Sequence, residues 1–224
     1  VYNPYVFDTS DNDFSIVGKI VVSRPNASES TWVVGTVHQI NWTPTGNFSN
    51  VIIEGSRNGF VDESQNYTIN VSVPAGVSGV LQTYNWTIGD YISDTTRIRV
   101  SDKDRPSLVY NVSPANFTLK GNLTVTAPNT NVTWYVNENQ FIEWNAEGTV
   151  GNVDIDLYEN GAWYADVINN TTTGTTGKGV GSYNWTIPDI KGENFTIRVS
   201  DNGDPNNVLD YSDVYFHIRP RINV

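Results

Sequence analysis

The pentapeptide Y-N-W-T-I stands at 84–88 and again at 183–187, and I-R-V-S-D stands at 98–102 and again at 197–201. In both pairs the copies are 99 residues apart. A chain with that period is built from tandem copies of one domain, and about 100 residues is the size of one β-sandwich. The correspondence runs through the whole unit. Alternating strands lead into proline at 20–25 (I-V-V-S-R-P) and 123–128 (L-T-V-T-A-P). Trp32 and Trp134 follow, and ten residues later I-N-W at 40–42 and I-E-W at 142–144. Gly46 and Gly148 come next, then N-V-I-I-E at 50–54 against N-V-D-I-D at 152–156.

One further stretch occurs three times. Residues 109–125 align without a gap to 208–224 and to 6–22. Each copy reads as a loop, a short strand ending F-x-I/L, and the opening strand of a repeat. The short strands carry Phe14 and Ile16, Phe117 and Leu119, Phe216 and Ile218. Only two central blocks lie between these three copies. The expected division is therefore a strand of a preceding repeat, or a donor strand, at 1–17, a first sandwich at 18–119, a second at 120–219, and the first strand of a following repeat at 220–224. Two explanations fit: a window onto a longer array, or subunits that join by lending a terminal strand to a neighbour. Either way residues 13–16 lack a sandwich of their own, and a bare strand edge is a site of association. The remaining alternative is a strand folded back onto the first domain.

Period-two alternation dominates. Ile40 and Trp42 alternate with Gln39 and Asn41, and Phe195, Ile197 and Val199 with Thr196 and Arg198. That is the pattern of sheets with one face on a core and one in water. Turn residues recur every eight to twelve positions, and no 3.6-residue period is sustained. The predicted fold is all-β: two tandem immunoglobulin-like β-sandwiches of about seven strands each, with an unpaired or donated strand at the termini. Trp42, Trp86, Trp144 and Trp185 fall on inward positions and are read as core. Trp163, in N-G-A-W, has no counterpart in the first block. With Tyr158 and Tyr164 it is the candidate ligand contact.

The order strand-Pro, W-x-x-G, I-x-W, N-G, Y-x-W-x-I-P, I-R-V-x-D and F-x-I resembles the Ser/Thr-rich GPI-anchored membrane-protein domain of the fungal cell-wall-biogenesis type, which has relatives in microbial surface proteins. The second block carries it best, with Asn160, Gly161, Tyr183, Trp185, Pro188, Arg198 and Phe216. The first has extra residues around 57–83 and Gly89 where the second has Pro188; Asn137 replaces the glycine seen as Gly35. The resemblance implies an immunoglobulin-like fold at a cell surface and no catalytic residues.

N-x-S/T acceptors occur at Asn26, Asn41, Asn47, Asn66, Asn70, Asn85, Asn111, Asn116, Asn122, Asn131, Asn169, Asn170, Asn184 and Asn194, where chance would give about five. In most of them the middle residue is apolar or aromatic. In a strand the Asn and the Ser/Thr then face water together while the residue between them enters the core. Asparagine is disfavoured in strands, so its repeated use on the outer face points to N-glycans.

Asp201, Asp204, Asp210 and Asp213 cluster in loops of the second repeat and are the candidate calcium ligands. D-x-S-D recurs at 8–11 and 210–213, but the middle copy reads N-V-S-P, and solvated turn acids are the simpler reading. No other cofactor is indicated. His38 and His217 are the two histidines, at non-equivalent positions, and offer no triad or metal spacing. With no cysteine there is no disulfide framework. A formal net charge of −11 disfavours nucleic acid and anionic membranes, and no apolar run is long enough to span a bilayer. The chain is therefore expected to be a non-enzymatic, N-glycosylated extracellular filament, stalk or surface-layer protein. Its partners would be copies of itself or adjoining repeats. The alternative is a carbohydrate-binding or adhesin module that contacts cell-surface glycans.

Overall fold

The computed structural model describes residues 9–172 and 179–221. Asp8 and the outer parts of the flanking strands expected at 1–17 and 220–224 lie outside the described residues.

Among the described residues eighteen strands follow one another, nine to a repeat. The first repeat holds β1 (Lys19–Arg24), β2 (Thr31–Val33), β3 (Val37–Thr45), β4 (Asn50–Ser56), β5 (Asn66–Pro74), β6 (Gln82–Thr87), β7 (Ser93–Asp102), β8 (Tyr110–Val112) and β9 (Phe117–Lys120). The second holds β10 (Asn122–Ala127), β11 (Thr133–Tyr135), β12 (Asn139–Glu147), β13 (Val153–Glu159), β14 (Ala162–Thr171), β15 (Gly179–Thr186), β16 (Gly192–Asp201), β17 (Leu209–Tyr211) and β18 (Phe216–Arg219). Seven strands per repeat are the longer ones that alternation predicts. The other two, β2 and β8 with their counterparts β11 and β17, have three residues each, too few for a period to show.

Each repeat is a two-layer sandwich. One sheet runs β1-β3-β6 and faces β2-β9-β7-β4-β5, with β8 on β7; the second repeat copies this as β10-β12-β15 facing β11-β18-β16-β13-β14, with β17 on β16. The chain crosses between layers after its first strand, so β2 pairs parallel with the last strand β9, and β11 likewise with β18. With all other pairs antiparallel, these are two tandem immunoglobulin-like β-sandwiches.

The inward residues of the two layers form one core per repeat. Trp42, Trp86, Trp144 and Trp185 are all buried, as are Trp32 and Trp134. Trp32 sits 4.6 Å from Phe117, and Trp134 is 4.6 Å from Phe216, so the aromatic nucleus is the same in both domains. Burying rings of this size supplies most of the driving force in a domain without disulfides.

Local backbone chemistry accounts for two features of the sequence. Gly35 has φ +84° and Asn137, its counterpart, φ +64°. Asparagine is among the few residues other than glycine that tolerate the left-handed region, so the exchange preserves the turn. Asn160 and Gly161, with φ +51° and +79°, form the two-residue loop between Glu159 and Ala162, a connection that needs both residues at positive φ.

Candidate functional surfaces

The N-terminal described segment forms no strand of the first sandwich. Residues 13–17 belong to no strand and make no backbone hydrogen bond to any other described residue, and Phe14 and Ile16 are 75% and 87% exposed. Their counterparts Phe117, Leu119, Phe216 and Ile218 are buried in β9 and β18. One sequence pattern thus appears twice as an inner strand and once as bare chain.

A single residue, Gly121, separates β9 from β10. A Cβ there would lie 2.6 Å from Val150, so no side chain fits without displacing its neighbour. Across this joint Asp90, in the turn after β6, accepts the Thr149 backbone N–H (3.0 Å) and hydroxyl (2.5 Å). The Lys120 ammonium donates to the Asn207 carbonyl. Nothing in the spacing of Asp90 and Thr149 announces this pair. Only the short β9–β10 connection signals a close joint.

The sequons divide by exposure. Asn47, Asn85, Asn116, Asn122, Asn131, Asn169, Asn170, Asn184 and Asn194 are exposed; Asn26, Asn41, Asn66, Asn70 and Asn111 are half-buried. The expected inward middle residue is found at Trp42, Phe48, Trp86, Phe117, Leu123, Trp185 and Phe195. It fails at Val71, which is 65% exposed, because β5 is an edge strand whose register against β4 shifts twice. Asn111 is engaged within the fold. Its Oδ1 accepts the Val22 backbone N–H at 2.9 Å, and Ser113 of the same sequon is fully buried.

The aromatic candidates do not share a face. Tyr158 and Trp163 lie directly opposite across β13 and β14, and Trp163 is 58% exposed. Tyr164, the next residue, turns the other way and sets its ring edge-on to buried Phe195 at 5.6 Å. Its place on the outer strip is taken by Tyr211, whose ring meets Tyr158 at 5.2 Å. Tyr211 comes from β17, a strand too short for sequence reading to place. Beside this strip Asp156 pairs with Arg198 at 2.9 Å. Burial raises the Asp156 carboxyl above its ordinary 3.8, and the Arg198 hydrogen bond offsets this only in part.

The acids read as a candidate calcium site each accept a hydrogen bond within the fold. Asp201 accepts the Gly203 N–H at 3.1 Å, and Asp204 accepts the Asn207 side-chain amide at 2.8 Å. Asp210 accepts the Val125 N–H at 2.7 Å, and Asp213 accepts the Asn129 amide at 2.8 Å. Among the described residues no group of three or more His, Cys, Asp or Glu is gathered to hold a metal ion. His38 stacks on Trp32 at 4.5 Å and is pushed below its ordinary value chiefly by burial. His217 lies in the other domain, with Nδ1 3.1 Å from Glu193 and Nε2 2.9 Å from Asn131. Among the described residues no helix is long and apolar enough to cross a membrane.

No family model matches the chain, and no curated protein does. The resemblance to the Ser/Thr-rich GPI-anchored type therefore rests on its motifs alone. Solved structures similar in plan include the fibronectin(III)-like modules of Clostridium thermocellum CbhA, at 16% identity and TM-score 0.28, covering 90% of this chain and 94% of that one. The titin immunoglobulin tandem A164-A165 matches at 9% identity and TM-score 0.32, covering 92% of this chain and 100% of that one. The ICAM-5 D1-D4 ectodomain fragment matches at 12% identity and TM-score 0.35, covering 90% of this chain and 53% of that one. At these scores the likenesses bear on no function.

Proposed function

We propose that this chain is a non-catalytic structural unit of a glycosylated extracellular filament, stalk or surface layer, joined end to end through terminal strands. The observation that carries this reading is the exposure of Phe14 and Ile16, whose counterparts in β9 and β18 are core residues. A segment with the pattern of an inner strand, held outside any sandwich, is suited to pair with a neighbour's sheet. The one-residue link at Gly121 supports a stiff unit, since no flexible linker separates the sandwiches. The exposed sequons support an N-glycan coat, and the motif resemblance supports a cell-surface location.

The test is a Phe14→Asp/Ile16→Asp variant. Both side chains are exposed, so the two sandwiches should melt as before. The native protein should form ordered end-to-end polymers in micrographs, and the variant should not. Polymers from the variant, or a native protein that stays at 24.9 kDa plus its sugar at high concentration, would sink the reading.

A carbohydrate-binding or adhesin role is favoured by one observation, the exposed Trp163 directly beside Tyr158. Aromatic faces stack on the apolar faces of sugars. Glycan-array binding abolished by Trp163→Ala would establish that role.

A further inference from the structure

The joint between the sandwiches is made from two halves, and the chain carries each half a second time. The acceptor half is Asp90 with Val34: Gly148 is packed so closely on them that a Cβ there would lie 3.1 Å from Val34 and 3.3 Å from the Asp90 carboxylate. One repeat later Asp189 and Val136 hold the same places, and there they line an open cleft of about 460 Å3. The donor half is the corner of Gly148, Thr149 and Val150. One repeat earlier the same corner is Gly46, Asn47 and Phe48, at the opposite end of the first sandwich. The corners share their geometry: Gly46 and Gly148 have φ +111° and +83°, and the glycines Gly18 and Gly121 pack under Phe48 and Val150. Gly46 is exposed whereas Gly148 in the filled joint is buried; Asn47 and its counterpart Thr149 are both exposed.

We propose that the cleft at Asp189 receives the Gly46, Asn47 and Phe48 corner of a second copy of this chain, with the Asp189 carboxylate accepting the backbone N–H and the side-chain amide of Asn47. The inference rests on the end-to-end reading above and adds the contact that sets the orientation between copies. Asparagine at position 47 supplies two donors, as the backbone and hydroxyl of Thr149 do for Asp90. Arg219 follows in the place of Lys120 and keeps the cation of the joint. Other positions of the joint differ. Asn137, Glu138 and Pro220 stand at the positions of Gly35, Thr36 and Gly121, and Glu138 pairs with Arg221 at 2.7 Å. Lys191 stands where Ile92 reaches toward Gly121 and Gly148, so the contact between copies loses an apolar plug and gains a flexible cationic stem. The two halves are different surfaces, one on each sandwich. Their pairing is heterologous, and unless the rotation closes a ring it extends into a filament. Asn47 is also a sequon, and a sugar on its amide would take one of the two side-chain hydrogens offered to Asp189. Copies joined in this way carry a bare Asn47.

The chain has no cysteine, so paired cysteines report the contact cleanly. Asn47→Cys/Asp189→Cys protein, oxidised under conditions where the native chain forms fibres, should give a ladder of disulfide-linked multimers beyond the dimer. Either single variant should stop at dimers. Asp90→Cys/Thr149→Cys, the internal control, should close a disulfide within one chain. Fibres without the ladder overturn this contact and leave strand-mediated joining in place. Absence of both fibres and ladder overturns both. An internal control that fails to close also overturns the proposal, because the filled joint is its template.

Discussion

Asn111 and Asp210 occupy one structural position in the two repeats. Asn111 Oδ1 accepts the Val22 N–H at 2.9 Å and Asp210 Oδ2 accepts the Val125 N–H at 2.7 Å, each tying the β8 or β17 strand to the first strand of its own sandwich. The serine two residues on is buried in both, and its hydroxyl accepts the backbone N–H of Ile98 or Ile197 at 3.1 Å. What the sequence shows as a sequon in one repeat and an acidic cluster in the other is a single device for fastening a layer edge.

The sequon at Asn111 should therefore be empty, or far less occupied than Asn85 or Asn184, in glycopeptide mass spectra of the native protein. Asn111→Asp should melt close to the parent, since aspartate serves at position 210. Asn111→Ala removes the acceptor of a partly buried N–H and should cost about 1–3 kcal/mol in denaturant unfolding. A fully glycosylated Asn111, or an alanine variant as stable as the parent, would contradict this assignment.

The same bonds bear on metal dependence. Asp201, Asp204, Asp210 and Asp213 spend carboxylate oxygens on neighbouring N–H groups and are not gathered on one point. A chelator should leave the thermal midpoint unchanged, and millimolar calcium should not raise it. A calcium-dependent rise of several degrees would establish the calcium reading.

Strand alternation makes a sharper prediction within one sequon. Asn184 is exposed and Trp185, the next residue, is 7% exposed and packs in the core with Trp134. Asn184→Gln should remove one glycan from the intact mass at a cost within about 0.5 kcal/mol, as for other surface changes. Trp185→Ala should cost about 3–5 kcal/mol, the usual range for emptying a large aromatic site.

That contrast between neighbours also marks what the sequence makes legible. Alternation around Trp42, Trp86, Trp144 and Trp185 places the core, because a half-buried strand must repeat every two residues. The three-residue strands carry too little chain for any period, so Tyr211 on β17 is found only in three dimensions. Asp90 and Thr149 lie 59 residues apart and look like ordinary turn residues; their bond exists because Gly121 leaves the two domains no slack. Trp163 is legible as the tryptophan without a repeat counterpart. Tyr164 is not its companion on that face, because adjacent strand residues point opposite ways.

The ion pair of Asp156 and Arg198 yields a prediction against intuition. The groups are 2.9 Å apart with side chains only 9% and 14% exposed. A close pair of opposite charges suggests that removing one member at neutral pH will be costly. Burial, however, outweighs the attraction and raises the Asp156 carboxyl above 3.8. An acid whose folded value is raised binds its proton more tightly when folded. Its contribution to stability is greatest below the unfolded value and declines as pH rises through the folded one. Other carboxylates titrate in the same window, so the informative quantity is the difference between the parent and Asp156→Asn, which keeps the shape of the protonated acid. That difference should be near zero below pH about 3.5 and should move in favour of the variant as pH rises toward neutrality. Denaturant unfolding at four or five pH values measures it. A variant that is markedly less stable than the parent at pH 7, with the gap closing on acidification, would show that the attraction to Arg198 wins after all.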